Sequence, residues 1–378
     1  MRSVSVKGTG MTNFGKHEGS LKSLALSASR EAILEAGRPK IDAIYVGNFS
    51  GGRLAGQEIL GSVLARELGL GSIPSSKMEG ACASGGIAFR QAYQMVAAGF
   101  YDTVLVVGAE KMTHASTNVV TEALNVGMDN DSNEGISGLT FPGFFGVAAN
   151  RYLHEFGANV KHLSMVSLKN REYAMNNPKA QFRKKVSLEE TMEARSITSP
   201  LTLFHCSPIT DGAAAVVITA SEKGVKILAS SQASGPPLMQ DIPDLLSIGA
   251  VRESASQAYE QAGLSPSDID VVELHDCFAI TEILAIEDLG FFEKGTGWKA
   301  VQDGLTKHGG KIPVNTGGGL LSRGHPIGAT GIAQIIQIVH QLQGRAVNQV
   351  EGARIGLAQN LGGTGAYSTV HILEREEL

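Results

Sequence analysis

Apolar residues recur at two spacings along this chain of 378 residues. In GGIAFRQAYQMVAAG (85–99) and TGIAQIIQIVHQLQG (330–344) they return every three or four positions, the period of an amphipathic helix, with glycine at each start. In DTVLVVGA (102–109) and RIGLAQN (354–360) they form buried-strand runs. MRSVSVKGTG at the N-terminus and SPITDGAAAVVITA (207–220) also read as strands. Strand and helix alternate, which predicts an α/β protein with largely parallel sheets covered by helices.

The alternation repeats. ASREAILEAGRPKIDAIYVGNF (28–49) and SASQAYEQAGLSPSDIDVVELHDCF (254–278) each read helix, Ala-Gly, polar turn, Ile-Asp, apolar strand. Their strand tips fall at Gly47-Asn48-Phe49 and His275-Asp276-Cys277. The two glycine-started helices echo each other in the same order, with Gly86 matching Gly331, and the echoes lie about 230 to 250 residues apart. This pattern predicts a duplication, 1–220 and 221–378, packed about a pseudo-twofold axis. Residues 114–205 have no counterpart and are expected to form an insertion folded over the first half. SPITDGAAAVVITA is expected to close that half. Cys82 lies four residues before Gly86 and His325 six before Gly331. The axis would bring these two helix starts together.

Composition changes the picture little. With 43% hydrophobic and 18% charged residues the chain can fill two sizeable halves. A net charge of -5 and the lack of a long basic run argue against nucleic-acid binding. The 46 glycines cluster locally, as tight turns require. Three cysteines cannot frame a disulfide scaffold. No apolar run suits a membrane span, the N-terminus reads as a strand and not a leader, and the closing EREEL carries no targeting tripeptide. The expected setting is cytoplasmic.

The chemistry concentrates in four places. In EGACASGG (79–86), Cys82 is surrounded by residues too small to cover it. A thiol at a helix start meets free N–H groups and the positive end of the dipole, which favour thiolate and can hold an oxyanion. The same pattern also suits a small core cysteine. TGGGLLSRGHPIGATG (316–331) places His325 in a glycine-rich turn with Pro326 suited to the first helical turn. That imidazole can take a proton from Cys82 or bind an oxyanion, or it can simply bond backbone. No Gly-Lys-Ser/Thr follows, so this is not a phosphate loop. His275 and Cys277 sit at a strand end, where parallel sheets usually hold their sites. Cys206, beside His205, reads as packing, and the Cys and His spacings fit no usual zinc pattern, so no metal is expected. QNLGGTGAYS (359–368) offers glycine-rich backbone but lacks the order of a dinucleotide fingerprint.

In chain order, EGACASGG, DGAAAVVI, HDCFAITE and GHPIGATG resemble the thiolase family, and the likeness covers essentially the whole chain. The HDCF form is similar to the sterol-carrier-protein-type and archaeal branch. The resemblance implies a duplicated α-β-α-β-α layered fold with an inserted loop domain. It implies an acyl-CoA C-acyltransferase, most simply one that interconverts acetyl-CoA and acetoacetyl-CoA by Claisen condensation or thiolysis. Cys82 then matches the nucleophile and His325 the histidine that activates it. His275 completes the oxyanion hole, and Gly362, with Asn360 in the same stretch, falls in the loop that holds the acyl-enzyme oxygen with the Cys82 amide. Most thiolases carry a Cys-x-Gly where this chain has Asn360-Leu361-Gly362. Cys277 is the natural replacement for that acid/base thiol.

Arg171, Arg183, Lys184 and Lys185 are candidates for CoA phosphates, or a solvated face of the insertion, and Ser322 is a candidate substrate contact. No cofactor is required beyond CoA as substrate. The resemblance also implies a homodimer or homotetramer, and archaeal relatives are associated with a hydroxymethylglutaryl-CoA synthase through an OB-fold adaptor. Two other readings stay open: a decarboxylating ketoacyl synthase, and a scaffold subunit of low activity.

Overall fold

Nine strands build the main sheet in the computed structural model, which describes residues 2–376. Met1 and the last two residues of EREEL lie outside the described residues. The strands are β1 (Val4–Met11), β2 (Ala43–Gly47), β3 (Ser75–Met78) and β4 (Thr103–Glu110). A small separate hairpin of β5 (Ser196–Thr198) and β6 (Leu201–Thr202) follows. Then come β7 (Gly212–Ala220), β8 (Val225–Ser234), β9 (Val271–Glu273), β10 (Ile355–Gly362) and β11 (Tyr367–Glu374). The order is β3-β2-β4-β7-β1-β8-β11-β10-β9. An isolated parallel bridge between Val272 and Val314 extends it beyond β9. Read outward from the β1–β8 seam, the two sides carry matching strands. The seam pairs Ser5 with Lys226 and Val6 with Val225, so two half-sheets are joined through a short register.

The expectation of largely parallel sheets is corrected. Only β2–β3, β2–β4 and β9–β10 run parallel, and β1–β7, β4–β7, β1–β8, β8–β11 and β10–β11 are antiparallel. No helix separates β10 from β11; a four-residue turn joins them, and so short a link permits only an antiparallel pair.

Between the half-sheets lie the two glycine-started helices. Helix Ser84–Ala97 buries Ala88, Phe89, Ala92, Tyr93 and Val96, an i, i+4 stripe. Helix Ile327–Leu342 is apolar nearly all round and almost wholly buried, as a central helix must be. Together they share a core with β4 and β7 on one side and β9, β10 and β11 on the other. Helix Leu21–Glu35 covers the outer face of the first half-sheet and helix Gly249–Ala262 that of the second, completing an α-β-α-β-α layering.

The central helices meet through backbone. A Cβ on Gly85 would lie 2.7 Å from the Gly328 carbonyl oxygen, and one on Gly331 would lie 2.5 Å from the Gly86 nitrogen. Of the echoing pair, Gly331 is the one whose missing side chain lets the two helices touch, with Gly85 beside Gly86 doing the same from the first helix.

The inserted segment follows expectation only in part. Helix Thr117–Asn125 lies on the first half, with Val120 beside Phe49 and Leu54, but helices Phe141–Phe156 and Val160–Asn176 pack on the second. Phe144, Phe145, Tyr152 and Leu163 join the core of Ile280, Ile283 and Leu284, and Lys169 makes a fully buried ion pair with Glu282.

Candidate active site

Cys82 sits in a 3-10 turn, Ala81–Ala83, that runs directly into helix Ser84–Ala97. Ala81 adopts φ +49°, a conformation costing a non-glycine residue about 1–2 kcal/mol. Ser84 braces this bend: its Oγ accepts from Gly80 N–H and donates to the Ala81 carbonyl. The turn thus presents a half-buried thiol at the helix start.

His325 is carried on the matching helix start, in extended chain between Gly324 and Pro326. Its backbone pairs with Ile209 and donates to Thr210 Oγ1. The glycine-rich loop before it is clamped by two buried carboxylates from the β9 strand and its tip. Asp276 accepts from Leu320 and Leu321 N–H and from Asn170, and Glu273 accepts from Gly317 N–H and holds Arg323 in a buried ion pair. His275 follows β9 and is gripped from β10: its N–H donates to Gln359, and Asn360 lies 3.0 Å from its Nδ1.

These elements converge. Cys82 Sγ and one ring nitrogen each of His275 and His325 all lie within 4.8 Å of one another, and the two imidazoles meet edge to face at 5.0 Å. Their tautomers follow from their partners. Thr330 Oγ1 donates to the Pro326 carbonyl, so it accepts from His325 Nδ1–H at 2.7 Å. His325 is left with a lone pair on Nε2. Asn360 accepts Gly86 N–H through Oδ1, so its NH2 group faces His275 Nδ1, leaving His275 with N–H at Nε2. With each Nδ1 occupied, Nε2 is the nitrogen left to meet the sulfur. One ring is arranged as a base and the other as a donor.

Burial sets the charges. It pushes His325 down to about 3, with Arg323 adding to the effect, and drives His275 well below the usual range, with His325 adding. Both rings are neutral at ordinary pH. Cys82 corrects the sequence expectation of a depressed pKa: burial first, then the Glu110 carboxylate, push it up to about 12, although Gly363 N–H hydrogen-bonds the sulfur. The helix-start donors are outweighed, and the resting group is a thiol. Cys277 is buried and raised as well, by burial and then by Cys82, which places the two sulfurs in mutual electrostatic reach.

Gly362 packs against the Cys82 turn: a Cβ there would strike the Gly80 carbonyl and lie 3.2 Å from Ala83 N. Gly363, which the sequence did not single out, is the residue whose amide reaches the sulfur. Arg171 is half-buried, its guanidinium 4.2 Å from the Phe182 ring centroid and 5.2 Å from that of Phe204. Arg183, Lys184 and Lys185 are exposed on the inserted segment. Ser322 is fully buried, and its Oγ has no partner among the described residues. Cys206 bonds the Thr202 carbonyl and packs on the core, as expected.

Sequence reasoning missed a cavity of about 140 Å³. Phe144, Phe145, Pro236, Ile248, Arg252 and Gly365 are among its lining residues, and Gly365 continues the loop that touches Cys82. The only signal was the Pro-Pro and Ile-Pro punctuation of GPPLMQDIPDLL.

Comparison with known proteins agrees with this geometry. Residues 4–222 match the thiolase N-terminal domain and 231–375 the thiolase C-terminal domain-like family. An acetyl-CoA acetyltransferase of Methanothermobacter thermautotrophicus is 45% identical, over 99% of this chain and all of that protein. Sterol carrier protein 2 of Bos taurus is 34% identical over 96% of this chain and 70% of its own length. The solved Ltp2-ChsH2(DUF35) aldolase superposes with a TM-score of 0.83 at 27% identity, covering 99% of this chain and 98% of that one.

Proposed function

The chain belongs to the thiolase family, and on that premise we propose that it interconverts two molecules of acetyl-CoA with acetoacetyl-CoA and CoA through an acetyl group carried on Cys82. The observation that carries this reading is the single cluster of Cys82, His275 and His325.

His325 Nε2 takes the Cys82 proton as the sulfur attacks the thioester carbonyl, and returns it to the departing CoA thiolate. Backbone N–H groups of the Cys82 turn and the Gly362–Gly363 loop hold the developing oxyanion. The Cys277 thiol proton then passes to His325 Nε2, free again once CoA has been protonated, and the Cys277 thiolate takes an α-proton from a second acetyl-CoA while His275 Nε2–H holds the enolate oxygen. The carbanion attacks acetyl-Cys82, the carbon–carbon bond forms, and the Cys82 sulfur leaves and takes a proton from Cys277, which recovers its own from His325.

We assign the pantetheine arm to the cavity beside Gly365, whose lining includes Arg252 but not Arg171, which is held between Phe182 and Phe204. The chain's two halves, 1–220 and 221–378, contribute the nucleophile and the imidazoles respectively. We place the enzyme in the cytoplasm as a homodimer or homotetramer. An OB-fold adaptor joining it to a hydroxymethylglutaryl-CoA synthase draws support from the DUF35 component named in the aldolase assembly.

Mass spectrometry after mixing with acetyl-CoA tests the reading. Wild type should gain one acetyl group on Cys82, and Cys82→Ala none. Cys277→Ala should still acetylate while acetoacetyl-CoA turnover falls about 10²- to 10⁴-fold. Full turnover by Cys277→Ala removes the acid/base role and leaves the nucleophile standing. A decarboxylating synthase would use the same thiol and imidazoles; carbon dioxide release from a malonyl thioester without need of Cys277 would favour it.

A further inference from the structure

We infer that Asn360 fixes the tautomer of His275, and so determines that this ring donates an N–H to the reacting oxygen; the inference rests on the acyl-transfer reading of the site. Burial keeps His275 neutral, so the ring carries a single ring proton and its position decides what the ring can do. An imidazole with N–H at Nε2 stabilises an enolate. The other tautomer aims a lone pair at the same oxygen and repels it.

Asn360 makes the choice. Its Oδ1 is committed to Gly86 N–H at 3.3 Å, at the start of the helix that follows Cys82. Its NH2 group therefore faces His275 Nδ1 at 3.0 Å, and a nitrogen facing a donor is unprotonated. Other groups around the ring leave this contact alone. His325 approaches edge to face and Cys82 lies within 4.8 Å on the reacting side. On the ring's own segment, the Asp276 carboxylate is turned to Leu320 and Leu321 N–H, and Cys277 lies near Thr281.

This gives the missing Cys-x-Gly cysteine a physical meaning. A thiol at position 360 could not accept from Gly86 and donate to His275 as an amide does. With the acid/base sulfur on Cys277, residue 360 is free to serve the neighbouring imidazole. Asn360 is thus a positioning residue: it links the nucleophile's helix to the oxyanion donor without touching substrate.

The experiment labels histidine with nitrogen-15 and reads long-range nitrogen–proton correlations in the resting enzyme. Resonances are assigned with His275→Gln and His325→Gln. Wild type should show His275 protonated at Nε2 and His325 at Nδ1; Nδ1–H on His275 overturns the inference. In Asn360→Asp the carboxylate accepts from Nδ1–H, so the tautomer should reverse and condensation turnover fall about 100-fold near pH 8. That loss should shrink as pH falls toward about 6, because the new carboxylate raises the ring's pKa and the imidazolium again carries N–H at Nε2. A loss independent of pH, with the wild-type tautomer retained, also overturns it. If Asn360→Asp does not fold, the wild-type spectrum alone decides. Cys82 acetylation is followed in parallel: its absence in wild type defeats the acyl-transfer reading, whatever the tautomers show.

Discussion

The start of helix Ser84–Ala97 and that of helix Ile327–Leu342 are copies of one structure put to different uses. Both have glycines where the backbones touch, and both face the space between the half-sheets. Just upstream they part. The first bends through a left-handed alanine to present a thiol; the second arrives as extended chain to present an imidazole. The strand tips differ in the same way. Asn48 donates to the Ala109 carbonyl and to buried Glu110, whose carboxylate also accepts from Gly328 N–H and so ties the first tip to the second helix. On the second tip Asp276 stands where Asn48 does and likewise holds backbone N–H groups, while His275, in the place of Gly47, faces the reacting sulfur. The copied features make the frame, and the chemistry appears where the copies diverge.

Substitutions on matched elements should separate frame from chemistry. The largest effect belongs to Cys82→Ala, which should lower turnover by at least about 10³-fold while leaving unfolding by denaturant near wild type. His275→Ala should cost about 100-fold in condensation, as loss of one oxyanion donor does, and little stability. Asn48→Ala, at the equivalent tip, should do the reverse: about 1–3 kcal/mol of stability, because Glu110 and Gly51 N–H lose a buried partner, with acetylation of Cys82 intact in the folded fraction. A turnover defect in Asn48→Ala exceeding its stability defect would break the contrast.

The glycine pair is a finer probe. A methyl on Gly331 would press on the backbone nitrogen of Gly86 and should cost about 1–3 kcal/mol. A methyl on Gly86 would meet Thr369 Oγ1, a side chain with no hydrogen-bond partner among the described residues and so able to turn aside. Gly86→Ala should therefore unfold at higher denaturant than Gly331→Ala. Equal costs would mean that the two copies carry their contact symmetrically.

Much of this frame is legible in the chain itself. Gly86 and Gly331 announce the helix contact, and Cys82, His275, His325 and Cys277 stand in motifs short enough to read. Strand direction was legible only in part: the glycines of 359–368 suit a hairpin, which β10 and β11 form, but they equally suit a ligand loop, and the other antiparallel pairs join strands distant in sequence. The packing of residues 114–205 was not legible. Lys169 and Glu282 look like ordinary surface charges until they are seen buried together. The tautomers depend on Thr330 and Asn360, neutral side chains whose meaning lies only in what they face. The cavity near Gly365 draws its walls from four separate stretches of chain, so the proline punctuation of 235–246 alone does not mark it as a cavity.

The Cys82 thiol itself provides the subtlest comparison. A helix start alone would favour thiolate near neutral pH. Burial and Glu110 instead hold Cys82 at about 12, and the other copy's imidazole, held near 3, stays an available base. Between these values neither group ionises, so alkylation of Cys82 by iodoacetamide should show no titration step from about pH 5 to about pH 9. A plateau reached near neutral pH would reveal a standing thiolate. In that case the first helix start would activate its own sulfur, and the division of labour between the two copies would fail at the step where they must cooperate.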